Sequence, residues 1–179
     1  MSDLTELGAV MHEEHFRTLV LICGLENRVT GGFADRPIDP RDVEDRSLLD
    51  NLVVGLEEII GHNAFEESVL FPLLKNVGAD DLAELLTQEH FAMGPLAKRL
   101  RTLAIEILEH GSSVDRWTAF CDAAMDFSAH LMLHLQKEEM TVVQRLGTLL
   151  DPDVDHALAL RRKMERDGGK LDSQAGEAA

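Results

Sequence analysis

The chain has 179 residues, 45% of them hydrophobic, which is one domain's worth with enough apolar matter for a core. Its formal net charge of −16 argues against nucleic acid or an anionic membrane as a partner, because both would repel it. Aromatics make up only 4%, while Leu, Ala and Glu are abundant, a balance that favours helices over sheets. The first residues are acidic rather than basic, and no apolar run approaches membrane length. A cytoplasmic protein is therefore expected. Cys23 and Cys121 sit inside apolar helical runs and read as free, buried thiols.

In chain order, residues 3–30 read as the first helix, with His15 on the same stripe as Leu4, Gly8, Met11, Leu19 and Ile22. His12 lies about 60° away around that helix and reads as a rim group or outer support. Thr30-Gly31-Gly32 ends the helix, and residues 31–46 form the longest loop, able to cover one end of a bundle. A second helix starts between 41 and 47, capped at Asp39-Pro40 or Ser47, and runs to 76. It carries Glu58, His62 and Glu66 on one stripe, with Pro72 expected to bend or end it.

Asp80 is the expected cap of a third helix over 81–110. There His90 shares a face with Ala83, Leu86, Gly94, Ala97 and Leu108, and Pro95 predicts a kink. The small residues on that face would let a neighbouring helix approach closely. Ser112 or Ser113 caps a fourth helix running to about 148, whose inward stripe reads Ala123, Phe127, His130, His134, Glu138. A short, polar fifth helix over 151–166 reads as an accessory surface element, and 167–179 as a disordered tail.

One stretch occurs twice. Residues 62–74 (HNAFEESVLFPLL) and 134–146 (HLQKEEMTVVQRL) each open on a histidine, with a pair of glutamates beginning four residues on. Positions i and i+4 share a helix face, so His62 with Glu66, and His134 with Glu138, aim a nitrogen and a carboxylate at one point. Glu14-His15-Phe16 matches Glu89-His90-Phe91 in the same way. The spacings, about 75 residues for His15 to His90 and about 72 for His62 to His134, indicate a duplicated helical hairpin.

A lone core histidine is ordinarily a hydrogen-bonded imidazole. Four helices that each carry polar groups in the middle of an apolar stripe are a different matter. Buried carboxylates and imidazoles cost several kcal/mol each unless something compensates them, and a cation does so. The mixed nitrogen and oxygen set without thiolate favours iron or manganese, with zinc possible. Two carboxylates from opposite helices suit a dinuclear centre. Two six-coordinate irons need about twelve donor positions. Two bridging carboxylates supply about four, five histidines including His130 supply five, and a shared oxo or hydroxo two, so about one stays open for a small molecule. Without His130, about two stay open.

These residues resemble the hemerythrin family, in its bacterial cation-binding branch. The resemblance rests on His15, His62-x-x-x-Glu66, His90 and His134-x-x-x-Glu138, and on Glu66-Glu67-Ser68-Val69-Leu70-Phe71-Pro72. It spans about residues 8–147. It implies an all-α, up-down-up-down four-helix bundle over 1–150 with a non-haem di-iron centre. It also implies dioxygen binding, oxygen or iron sensing, iron handling, or reaction with peroxide or nitric oxide. Two departures stand out: Gln144 takes the place of the proline in the second repeat, and His130 is additional to the branch pattern. Glu58 holds the equivalent place to His130 and reads as an outer support or extra ligand.

The expected function is thus a di-iron protein that binds or senses dioxygen, with a separate, unidentified redox or signalling partner. A peroxide- or nitric-oxide-consuming oxidoreductase ranks below it. A ferritin-like carboxylate protein ranks third, because that class carries Glu-x-x-His on its helices and none lies on the stripe here.

Overall fold

The computed structural model describes residues 4–32 and 35–176, with side chains as far as 166. Among them every regular element is helical. The elements are α1 (Glu6–Thr30), α2 (Val43–Phe65), a π-helical turn (Glu66–Leu70), α3 (Phe71–Asn76), α4 (Asp80–His110) and α5 (Val114–Thr141). A 3-10 turn (Val143–Arg145), α6 (Leu146–Leu149) and α7 (Pro152–Gly176) complete the order. None of the helices is long and apolar enough to cross a membrane. The chain divides into two compact units, residues 16–136, and residues 1–15 with 137–179.

The larger unit holds the four-helix bundle. Its core is assembled by spacings of three and four residues. On α4 the buried positions are Ala83, Leu86, His90, Met93, Ala97, Leu100, Ala104 and Ile107. On α5 they include Trp117, Phe120, Ala124, Phe127, Leu131 and His134. This seven-residue repeat keeps one narrow seam facing the neighbouring helices. Gly94 and Leu108 lie off that seam and are only partly buried. A side chain at Gly94 would meet nothing, so the close approach expected there is absent. The close approach occurs at Gly55 of α2, where an added Cβ would come within 2.2 Å of the Leu21 side chain of α1.

The long loop is fastened by a buried pair. Arg28 sends Nε and Nη2 to the two Asp45 carboxylate oxygens at 2.8 and 3.2 Å, and Nη2 also donates to the Arg36 carbonyl at 3.0 Å. The Asp39 N–H donates to Asp45 at 2.9 Å. Ile38 is buried in the core beneath this fastening, and the guanidinium lies 4.9 Å from the centre of the Trp117 ring. Asp42, rather than Asp39-Pro40 or Ser47, caps α2, accepting the Glu44 and Asp45 N–H groups at 3.0 and 3.1 Å. The cap before α4 is Ala79, with Asp80 already its first helical residue. Gly78, at φ 77°, ends α3 as its N–H and that of Ala79 turn back to the Lys75 and Leu74 carbonyls.

In the smaller unit, α7 lies against the first turns of α1 through polar groups. Arg162 Nε reaches both Glu14 carboxylate oxygens at 3.1 and 3.0 Å, and both residues are buried. The Leu7 N–H donates to Asp155 at 3.3 Å, and His156 meets Glu6 at 2.9 Å. The helix runs to Gly176, ten residues past the expected end at 166 and into the stretch read as a disordered tail. Residues 177–179 of that tail lie outside the described residues. Both cysteines are free, but Cys23 is exposed and Cys121 half-buried, so the expectation of buried thiols is corrected. Cys23 follows the buried Ile22, and one helical step of about 100° carries it off the seam.

Candidate metal centre

Within the larger unit, His62, Glu66, His90 and His134 are all buried. His62 and Glu66 stand one turn apart at the end of α2, with Nε2 and Oε1 separated by 3.4 Å. Glu66 opens the π-helical turn, whose wider coil is closed by the Phe71 N–H reaching back to the Glu66 carbonyl. Pro72 has no N–H with which to continue an ordinary α-helical ladder, which favours the wide turn at this point. The turn also delivers Phe71, whose ring stacks on His90 at 5.3 Å between centroids. His90 on α4 sets its Nε2 3.5 Å from Glu66 Oε2. The Nε2 atoms of His90 and His134 are 2.9 Å apart.

That last distance decides the chemistry. His90 Nδ1 lies 2.8 Å from Glu67 Oε1, and His134 Nδ1 lies 2.9 Å from Glu89 Oε2. A carboxylate only accepts, so in both rings the Nδ1–H donates and Nε2 is left with its lone pair. Two such lone pairs 2.9 Å apart repel unless a shared proton, or a metal ion that both nitrogens bind from one side, offsets them. Metal bonds of 2.0–2.1 Å set neighbouring ligand atoms roughly 3.0–3.4 Å apart, close to the separations around Glu66. Glu66, His90 and His134 each bring a ligand atom within 4.8 Å of the others.

The smaller unit carries the matching arrangement. His15 and Glu138 are buried, with Nε2 and Oε2 3.5 Å apart. His15 Nδ1–H donates to Glu139 Oε1 at 2.7 Å, which leaves Nε2 as the metal-facing atom here too. The other Glu139 oxygen meets Nδ1 of the exposed His12 at 3.0 Å. Burial pushes the Glu139 carboxyl up, but the hydrogen bonds from His15 and then His12 outweigh it and hold the group below its ordinary value. Burial raises the Cys121 thiol, which suits a neutral thiol rather than a thiolate ligand.

The donor set is imidazole nitrogen and carboxylate oxygen, with Nδ1 of His15, His90 and His134 each held by a glutamate, and it fits a divalent metal ion. The model of the hemerythrin HHE cation-binding domain matches residues 8–146. The chain belongs to the hemerythrin HHE family. Three similar curated proteins, all called iron-sulfur cluster repair protein YtfE, come from Yersinia pseudotuberculosis. Those of strains IP 31758 and IP32953 are each 27% identical over 137 residues, and that of strain PB1/+ is 26% identical over the same length. The match covers 75% of this chain and 58% of each relative, so the HHE chain spans little more than half their length. No solved structure matches.

For this HHE chain two sequence expectations are corrected. His130 is exposed, and its Nδ1 donates to the Asp126 carbonyl of its own helix at 2.7 Å. The α5 seam passes through Phe127, Leu131 and His134, so His130 lies one helical step to the side. Glu58 is likewise exposed on α2 and absent from the buried donor groups, so its reading as an extra ligand is corrected. His12, expected as a rim group, touches Glu139. Residues the sequence reading passed over are Glu67, Glu89 and Glu139. The doubled glutamate of each repeat, and the glutamate before His90, were the visible signals.

Proposed function

We propose that this HHE chain holds two iron ions and binds or senses dioxygen, or a related small molecule, at them. In the larger unit His62, Glu66, His90 and His134 would hold metal, and in the smaller unit His15 and Glu138 would do so. The observation that carries this reading is the 2.9 Å approach of the buried His90 and His134 Nε2 atoms, beside the Glu66 carboxylate. Membership of a cation-binding family supports it, and so does the repeat, which duplicates each donor.

With four imidazoles instead of five, about two of about twelve coordination positions stay open. Iron bound there supplies one-electron redox chemistry and a place for a small ligand. The chain's own residues bury the donors, stack the Phe71 ring on His90, and keep Nδ1 of His15, His90 and His134 engaged by glutamates. Zinc or manganese in the same donors is the main competitor.

Ferrous iron added to metal-free protein under anaerobic conditions should bind at two per chain. Air should then bring up charge-transfer absorption that fades when oxygen is removed. Two colourless zinc ions retained against iron, or a single metal per chain, would overturn this reading. The name of the similar Yersinia proteins favours a second reading, in which the centre gives up iron. Transfer of the bound iron to a cluster-free iron–sulfur protein, without reversible oxygen absorption, would mark that outcome.

A further inference from the structure

We propose that Glu67, Glu89 and Glu139 are positioning residues that hold three ligand imidazoles in one tautomer and bias the bound metals toward their higher oxidation state. The inference rests on the two-iron reading above. Each carboxylate accepts from a different ring, at 2.8 Å on His90, 2.9 Å on His134 and 2.7 Å on His15. The rings are 2–3% exposed, while the carboxylates are 45%, 28% and 24% exposed. The glutamates therefore reach inward from the surface to meet fully buried imidazoles.

The internal repeat argues against coincidence. His15 and His90 are counterparts, and Glu139 and Glu67 are counterparts, each second in its glutamate doublet. The bond from His90 to Glu67 in one unit is thus built again from His15 to Glu139 in the other. An ordinary exposed ion pair contributes little and carries no such constraint. A carboxylate on Nδ1–H has a different effect. It fixes which nitrogen carries the lone pair, orients the ring, and raises the basicity of the coordinating Nε2. Three nearby negative charges favour ferric over ferrous iron by the same electrostatics that pairs opposite charges.

Single and triple substitutions Glu67→Gln, Glu89→Gln and Glu139→Gln separate charge from hydrogen bonding, since Gln keeps an acceptor oxygen. On the iron-loaded full chain the Gln variants should still bind two metals. Their midpoint potential should rise, by about 59 mV for each tenfold loss of ferric preference. Leu at the same positions should weaken ferrous binding against a competing chelator by about 10- to 100-fold. In metal-free protein, nitrogen NMR of the histidines should give Nδ1–H tautomers for His15, His90 and His134, with Leu releasing the ring concerned. A wild type that binds no metal overturns this inference together with the two-iron reading. A wild type with two irons, and a triple Gln variant with its potential and affinity, overturns this inference alone.

Discussion

His130 and His134 stand four residues apart on α5 and meet opposite surroundings. One is exposed and bonded to its own helix, the other 2% exposed and aimed at His90. Spacing of four places both within about 40° of one another, too close for a sequence stripe to separate them. The 3-4 alternation of the packed seam separates them, and that alternation is chosen by the neighbouring helices. His130→Ala should leave metal content unchanged and shift stability by less than about 0.5 kcal/mol, as metal analysis and denaturant unfolding will check. Glu66→Ala and Glu138→Ala are the opposite case, because each removes a fully buried carboxylate from the proposed donors of its own unit. Either variant should fall below one metal per chain, while its metal-free form should melt no lower than metal-free wild type, since a costly buried carboxylate is gone. Two metals retained in either variant would dismiss that carboxylate as a ligand.

At the scale of elements, the four long helices were legible because apolar spacing persists over more than twenty residues in each. Their ends were less so. Asp42 caps α2 although Asp39 and Ser47 have equal chemical claims, because the Arg28 and Asp45 pairing fixes where the loop enters the helix. The wide turn at Glu66 was foreshadowed only by Pro72, and the second repeat, with Gln144 there, ends α5 at Thr141 in a 3-10 turn instead. Asp45 offers an element-scale test. Burial raises its carboxyl, but the Arg28 hydrogen bonds, the Asp39 N–H and the charges of Arg28 and Arg36 outweigh that and hold it below its ordinary 3.8. A depressed folded-state value stabilises the fold above about pH 4, and that contribution is lost as pH falls through it. Asp45→Ala should therefore cost about 3–5 kcal/mol at neutral pH, by leaving Arg28 without its carboxylate, and should flatten the acid side of the stability profile. An unchanged acid limb in denaturant unfolding between pH 5 and 2 would contradict this.

At the scale of the whole molecule, six buried polar side chains are candidate donors, so metal loading should be felt in global stability. Metal at 100 times its dissociation constant adds about 2.7 kcal/mol. For a chain of this length that corresponds to a melting temperature about 5–10 °C above the chelated form, measurable by calorimetry with and without metal. From the sequence alone came the helical class, the repeat, and six candidate donors, His15, His62, Glu66, His90, His134 and Glu138, all of them buried. These depend on residue type and on periodicity, which a linear chain displays directly. Only the tertiary structure decided that His130 and Glu58 are exposed, that Gly55 rather than Gly94 admits a neighbour, and that Glu67, Glu89 and Glu139 lie within hydrogen-bond distance of Nδ1 of His90, His134 and His15. Those facts depend on which of two adjacent helical steps faces a partner, and that choice is made by packing between segments far apart in the chain.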